Sequence, residues 1–394
     1  MSIDVLTNNF LVITSSTFSL ILSFIILIYL TNLLQLSSLR VVFILLWHYF
    51  FVMIAYYYSF HFVADSSSYY EEAVVGNILI NQTFAVKVIV YLNIILTKYL
   101  GFSYIGVYFF YGYVGLIGIL FLDSSLNYYF NNENKENFII RNFIIFMPSL
   151  HFWSSHIGKD TLAIFAICFF IWLLLYKKNI LYCLIPLILF YLIRPQHSFV
   201  LYFSILFTLS IFLKNKYKIP LFSLILIFSF LNISSIINIS GVGLNYDKNL
   251  LFFLDPNFYS TLDFLIVTRQ NLHDYHGSGF VILTNMNFPS HIFTYLFRPL
   301  PFEAKSIFRF VASIENLLIM LFFSYSLFYF RTFRIFDKKH YLFIFFFIFA
   351  LIPLSFFSAN FGISARQKWI ILIPIILVCC KIIQTKNLKK NTLN

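Results

Sequence analysis

Charged side chains are scarce in this 394-residue chain. Asp, Glu, Lys and Arg together make up 11% of its residues, against about a quarter in a typical soluble domain. Hydrophobic residues make up 60%, which is above the share of about half that soluble domains carry. These two departures exclude a soluble enzyme, a disordered protein and a nucleic-acid-binding protein. They predict a polytopic integral membrane protein.

Cysteine is also scarce, and no segment rich in proline and glycine separates one part of the chain from another. The four cysteines lie in apolar runs, and their spacing fits neither a disulfide framework nor a zinc site, so we interpret them as packing residues: Cys168, Cys183, Cys379 and Cys380. No internal repeat is found. We therefore predict a single membrane domain over residues 1–394. The first apolar run has no basic segment before it, so we expect no cleavable signal peptide.

Long apolar runs divide the chain into predicted membrane spans, since about 20 apolar residues cross a bilayer as a helix. Eleven runs qualify: 10–30, 41–60, 104–122, 138–150, 161–176, 180–192, 198–213, 220–238, 310–330, 341–357 and 369–383. The shorter run 84–98 is predicted to be a helix at the outer surface; the alternative is that it spans and the count becomes twelve. The sequence thus predicts an all-α protein with one large extracytoplasmic loop, residues 239–309.

The Lys and Arg residues predict the orientation, because cytoplasmic loops carry their excess. Four clusters fall on alternate loops and are assigned to the inside: 177–178, 214–218, 331–339 and 381–390. Arg40, Lys135 and Arg141 are assigned to the inside as well, and the whole net charge of +12 then lies on the cytoplasmic side. The charge therefore needs no anionic partner such as nucleic acid.

The segment HFVADSSSYYEEA, residues 61–73, is predicted to lie at the outer end of the second span. Its Asp65 is a candidate catalytic residue, because a carboxylate at a membrane exit can deprotonate a sugar hydroxyl within hydrogen-bond reach. Tyr69, one helical turn on, is a candidate for substrate binding. The alternative interpretation is an N-cap, with Asp65 or Ser66 beginning a helix.

Two further turns follow or precede short apolar runs and are predicted to be recessed below the outer surface. Polar groups at that depth usually line a water-filled cavity. The turn in 148–161 offers His151, His156, Lys159 and Asp160; the alternative is a local Lys159–Asp160 ion pair. The turn in 191–198 offers Arg194, whose planar fork suits a phosphate, and His197. For Arg194 the alternative is snorkelling to the surface.

The large loop and the last outer turn supply more ionisable residues. Residues 268–280 hold Arg269, His273, Asp274 and His276, which are too few for us to predict a metal site. Residues 297–310 hold Arg298, Glu303, Lys305 and Arg309, and Glu315 is expected to pair with one of these cations. Arg366 and Lys368 precede the last span.

Together the outer residues predict a cationic pocket that suits a lipid-linked phosphate or pyrophosphate, since cations stabilise charge that develops on such a leaving group. The cations are Arg194, Arg269, Arg298, Arg309, Arg366, Lys159 and Lys368, with the carboxylates of Asp65 and Asp160 beside them. No cofactor or metal is required.

In length, span number and large outer loop, the chain resembles the polymerases of bacterial surface polysaccharide, the O-antigen polymerase (Wzy) group. Arg194 and Arg269 match essential arginines of two outer loops in that group, and Arg269 is followed by Gly277 and Gly279. The resemblance implies glycosyl transfer from undecaprenyl pyrophosphate at the outer face of the bacterial cytoplasmic (inner) membrane. A chain-length regulator is the protein partner that it suggests.

Within that resemblance each candidate residue has an implied role. Arg194, Arg269 and Arg298 would hold the pyrophosphate, and Asp65 or His197 would activate the acceptor hydroxyl, with Asp160 as a further candidate catalytic residue. The remaining candidates for binding are Arg366, Lys159, His273, His276 and Tyr69.

Two alternatives stay open. The D-x-x-x-Y pattern of Asp65 and Tyr69 also resembles GT-C glycosyltransferases, which use a polyprenyl-phosphate sugar donor. The other alternative is a transporter or flippase of lipid-linked oligosaccharides. Transporters commonly carry internal repeats and charged groups at the midplane, whereas here no repeat is found and the ionisable residues gather at the outer ends of the predicted spans. This distribution favours the enzyme.

Overall fold

A computed structural model describes residues 9–62, 65–76, 83–130, 135–176, 179–213, 281, 283, 286–331, 333–358 and 360–391. The chain divides into two compact units, Met1–Arg194 and Pro195–Asn394. Nearly all of the described residues are helical. The structure is therefore that of an all-α protein over the ranges that it describes.

The first unit contains nine of the described α-helices. They are α1 (Asn9–Leu34), α2 (Ser38–His61), α3 (Asp65–Val75), α4 (Phe84–Ile94), α5 (Tyr104–Tyr129), α6 (Lys135–Ile145), α7 (Pro148–Trp153), α8 (Lys159–Leu175) and α9 (Leu184–Ile193). A π-helical turn, Ile95–Tyr99, continues α4, and a 3₁₀ turn, Ile180–Cys183, leads into α9.

The second unit contains the other five. They are α10 (Pro195–Phe212), α11 (Phe288–Phe297), α12 (Ile307–Tyr329), α13 (Lys338–Phe357) and α14 (Phe361–Asn391). Two 3₁₀ turns, Pro301–Glu303 and Phe333–Ile335, precede α12 and α13. Within this unit α13 packs against α10 and α14, and α12 packs against α14.

Six of the described helices are long and apolar enough to cross a membrane: α2, α5, α10, α12, α13 and α14. The chain is therefore a membrane-embedded all-α protein. The predicted total of eleven or twelve spans stays a prediction. Three of the predicted spans coincide with helices that are too short to count among the six. Span 138–150 coincides with α6 and α7, span 161–176 with α8, and span 180–192 with α9.

Three further predictions concern the helix 84–98, the span 220–238 and the large loop 239–309. Residues 84–98 are helical, as α4 and its π-helical continuation, but nothing tests whether they span. The predicted span 220–238 and residues 239–280 of the predicted loop lie outside the described residues. The described end of that loop, up to residue 309, contains α11 and the start of α12. Its boundary and the single-domain assignment stay predictions.

Helix α5 is the centre of the first unit, where it packs against α1, α2, α6 and α8. Two of its glycines permit this close packing, as small residues do between membrane helices. A Cβ at Gly115 would collide with the carbonyl oxygen of Ser154, and a Cβ at Gly118 would lie 2.8 Å from Cα of Phe165. Both neighbouring atoms are backbone atoms, so α8 and the end of α7 approach α5 as closely as a helix surface without side chains allows.

Asp123 on α5 joins three helices by ion pairs. Its carboxylate accepts hydrogen bonds of 2.7 Å from Nε and Nη2 of Arg40 on α2, and of 2.8 Å from Nε and Nη2 of Arg141 on α6. The remaining Nη1 atoms donate to Asn142 and Asn127, each at 2.6 Å. The sequence placed the two arginines with the cytoplasmic charges, and here they are the partners of one buried carboxylate.

Candidate functional site

The turn between α7 and α8 is the centre of the candidate site in the first unit. Pro148 begins α7, where its missing N–H costs nothing, and the helix ends at Trp153. Ser154 Oγ donates to the carbonyl of Leu150 at 2.7 Å and Ser155 Oγ to that of His151 at 2.6 Å. Such back-bonding competes with helical hydrogen bonds. Gly158, at φ 155°, then redirects the chain into α8.

A buried ion pair joins this turn to the end of α9. Asp160 in the first turn of α8 accepts a hydrogen bond from Nη2 of Arg194, and both residues are buried. Arg194 lies just beyond the last residue of α9, where its N–H donates to Phe190 at 2.8 Å. The sequence offered a local Lys159–Asp160 pair or a snorkelling arginine. The structure joins Asp160 to Arg194, which lies 34 positions further along the chain.

One donor of Arg194 is left over. Its Nε is buried and has no hydrogen-bond partner among the residues that the structure describes. A guanidinium has five N–H donors in a fixed fork, and a buried donor without a partner costs free energy. The arrangement is therefore suited to a further acceptor, such as an oxygen of a phosphate or carboxylate, beside Asp160.

Helix α3 packs on the same turn. Ser66 Oγ donates to the carbonyl of Ile157 at 3.1 Å, and the ring of Tyr69 would lie 3.4 Å from a Cβ at Gly158. Asp65 is the first residue of α3 and is exposed, whereas Tyr69 is buried. Asp65 begins a helix and is accessible, and both interpretations of this segment stay predictions. Burial, and then the nearby Tyr56, raise the pKa of Tyr70 to about 12, so Tyr70 stays a neutral hydrogen-bond donor.

Aromatic rings surround His156 in the turn. Its ring stacks on Trp153 with centroids 5.2 Å apart, and Phe152, Tyr58 and Tyr108 lie at 4.5, 6.3 and 6.5 Å. Nδ1 of His156 lies 2.8 Å from the carbonyl of Phe152, which fixes Nδ1 as the donor because a carbonyl only accepts. In the neutral ring Nε2 is then the basic nitrogen. Flat aromatic surfaces on the turn that leads to Asp160, the partner of Arg194, suit a sugar bound through a phosphate.

No protein-family model, curated protein or solved structure matches this chain.

The structure brings five of the sequence-predicted site residues into the first unit around α3, the turn and the end of α9: Asp65, Tyr69, Lys159, Asp160 and Arg194. Three others belong to the second unit: His197, Arg298 and Arg366. The last three, Arg269, His273 and His276, lie outside the described residues. A single cationic pocket formed by all of them therefore stays a prediction.

Arg298 in the second unit has a carboxylate partner. Its Nε donates to the two carboxylate oxygens of Glu303 at 2.9 and 3.1 Å, and its guanidinium lies 5.5 Å from the ring centroid of Phe361. Burial raises the pKa of Glu303, but the hydrogen bonds from Arg298 and from the N–H of Leu300, with the charge of Arg298, outweigh burial and hold that pKa below its ordinary value. A groove of about 590 Å³ lies beside Arg298.

Lys368 on α14 is buried among polar groups of α12. Its Nζ donates to Oδ1 of Asn316, whose Nδ2 donates to the carbonyl of Pro299 at 3.1 Å. Glu315, also buried, interacts electrostatically with Lys368. The sequence predicted that Glu315 pairs with a cation of residues 297–310, and the structure identifies Lys368 as a cation that interacts with it. His197 is buried in α10 and Arg366 is half-buried in α14.

Sequence reasoning missed the environment of two histidines, His48 and His151, which are in contact inside the first unit. A signal existed, because His48 lies in the middle of the apolar run 41–60 and an ionisable residue within a membrane helix indicates function by default. Among the described residues, no group of three or more His, Cys, Asp or Glu side chains could hold a metal ion.

Proposed function

We propose that the protein is a membrane glycosyltransferase that polymerises oligosaccharide repeat units linked to undecaprenyl pyrophosphate. The proposed site is the α7–α8 turn with α3 and the end of α9, at the outer face of the bacterial cytoplasmic membrane. One observation carries the proposal: the buried Asp160–Arg194 pair, in which Arg194 keeps an unpartnered Nε. Such a pair is suited to hold a phosphate group where charge develops.

The chemistry follows from the residues. The acceptor hydroxyl of one repeat unit attacks the anomeric carbon of the growing glycan, the bond from that carbon to the pyrophosphate oxygen breaks, and the hydroxyl proton passes to a base. Asp65 is the proposed base, because it is exposed at the start of α3. Arg194 stabilises the charge on the departing pyrophosphate, and Asp160 holds its guanidinium in place. The aromatic rings around His156 contact the sugars.

A gel of the polysaccharide from a deletion strain tests the proposal. Without the gene, only single-repeat glycan should reach the surface, and the wild-type gene should restore a ladder of lengths. Arg194→Ala should remove the ladder, because losing one donor to a developing oxyanion costs about 10²–10³-fold in rate. Lys305→Ala is the matched control, an exposed cation of the second unit. A fluorescent C-terminal fusion reports that each variant is inserted.

A full ladder from inserted Arg194→Ala protein would refute the role of Arg194. The same gel separates the alternatives. If even the single repeat unit is missing at the surface of the deletion strain, a flippase or an assembly glycosyltransferase of the GT-C kind replaces the polymerase. The buried Lys368 and Glu315 on α14 and α12 favour a transporter as the second candidate, because transporters place charged groups within their helices.

A further inference from the structure

Two histidines meet in the interior of the first unit. His48 lies in the middle of α2 and His151 on α7, and neither is exposed. Their Nδ1 atoms are 3.1 Å apart, and the ring centroids are 5.3 Å apart. This distance is that of a hydrogen bond between two nitrogens, so a proton is needed on one of them.

The other nitrogen of each ring is also in a hydrogen bond. Nε2 of His48 lies 2.8 Å from the carbonyl oxygen of Gly112 on α5, and Nε2 of His151 lies 2.7 Å from that of Ile145 on α6. A carbonyl oxygen accepts and never donates. Each Nε2 must therefore carry a hydrogen.

The count of protons follows. A neutral imidazole has one N–H, and in both rings the contact with a carbonyl uses it. Two neutral rings would leave two Nδ1 lone pairs facing each other, and moving one hydrogen to Nδ1 would leave a lone pair facing a carbonyl instead. We propose that the pair binds one excess proton between His48 Nδ1 and His151 Nδ1, so that an imidazolium donates to a neutral imidazole. Only then are all three hydrogen bonds made.

The chain segments that make these contacts hold no carboxylate that would balance this charge directly. Within four residues of the four contact points along the chain, the titratable or charged side chains are Tyr49, Tyr108, Tyr111, Tyr113 and Arg141. Arg141 is bound to Asp123, and the tyrosines are neutral at physiological pH. Phe51 stacks on His151 at 6.0 Å, and an aromatic face attracts a cation. The three hydrogen bonds and this ring must therefore offset the cost of burying the charge.

The proton also links the candidate site to the membrane helices. The His48–His151 bond joins α2 to α7, and the turn that follows α7 carries His156 to Asp160. The hydroxyl of Ser155 donates to the carbonyl of His151 itself. Loss of the proton would remove the bond between α2 and α7 and loosen the support of the turn. This inference does not rest on the proposed reaction.

Nuclear magnetic resonance on the full chain in lipid nanodiscs, labelled with ¹⁵N-histidine, tests the proposal. At pH 7 we expect a scalar coupling between two histidine Nδ1 atoms across one hydrogen bond. His48→Gln should abolish it, and His61→Gln, an exposed histidine of the same helix, should leave it unchanged. Absence of the coupling in the wild-type protein overturns the proposal, whether or not the His48 variant folds.

The pH dependence of unfolding is the second measurement. A proton held more tightly in the folded protein stabilises it at low pH, and that stability is lost as pH rises. Above about pH 6.5, where free histidine loses its proton, the unfolded chain releases protons while the folded pair keeps one, so the unfolding constant should rise by up to tenfold per pH unit until the folded pair also releases its proton. His151→Gln should lack this rise. An unfolding constant that does not rise above about pH 6.5 indicates a neutral pair and overturns the proposal. So does destabilisation by a chelator that added Zn²⁺ reverses, which would indicate a metal between the rings.

Discussion

Replacing Asp123 by asparagine should destabilise the first unit more than any other change to the ion pairs around it. The carboxylate is fully buried and accepts four hydrogen bonds of 2.7–2.8 Å from Arg40 and Arg141. As it stands, the cluster has two cations and one anion. Asp123→Asn leaves two cations a few ångströms apart and removes the carboxylate that joins them. Breaking a buried ion pair by removing one partner costs about 3–5 kcal/mol, and we expect a loss in that range or above.

Removing one arginine should cost less. Arg40→Gln leaves a neutral pair of Asp123 and Arg141 and forfeits hydrogen bonds to a charged group, which are worth about 1.5–3 kcal/mol. The double variant Asp123→Asn with Arg40→Gln should lose less stability than the sum of the single losses, because only one uncompensated cation remains. Residues that share one network are expected to be non-additive in this way.

Reversible unfolding of the purified protein in mixed micelles by added sodium dodecyl sulfate measures these differences, with helix content by circular dichroism as the signal. Arg40→Lys is the conservative control, because it keeps the charge and loses the fork. If Asp123→Asn is no more destabilising than Arg40→Gln, the carboxylate of Asp123 is not the group that neutralises the two arginines.

Three further outcomes are expected. Gly115→Ala should destabilise the first unit by a few kcal/mol in the same assay, because the added Cβ meets the backbone of Ser154; unchanged stability would contradict this close packing. Glu303→Gln should reduce stability at neutral pH, and the difference from wild type should narrow as pH falls through the lowered pKa of Glu303. A difference that grows on acidification would contradict the pairing with Arg298. The four buried cysteines should resist a maleimide until detergent unfolds the protein, as mass spectrometry can measure.

The sequence predicted the class of fold because that class depends on composition alone. Runs of apolar residues and scarce charge require a helical membrane protein whatever the contacts are. The turn in 148–161 was also visible, since Pro148 ends one apolar run and Lys159 and Asp160 begin the next. The pairing of Asp160 with Arg194 was not visible, because it depends on how α8 packs against α9. A single sequence carries no contacts between residues 34 positions apart.

The partners of the buried cations distinguish the arginine that can take a ligand from those that only hold helices together. Arg40 and Arg141 each use Nε, Nη1 and Nη2 on Asp123 and on asparagine side chains. Every guanidinium nitrogen of these two arginines thus already donates to a protein oxygen, so a substrate oxygen would have to compete with those bonds. Arg194 lies against Asp160 with its Nε unpartnered. The sequence alone cannot make this distinction, since all three residues are arginines near predicted helix ends. The difference appears only in the hydrogen-bond partners of each guanidinium nitrogen. If Arg194 binds substrate, its replacement should abolish the ladder at full protein level, whereas Arg141→Gln should lower the level of inserted protein instead.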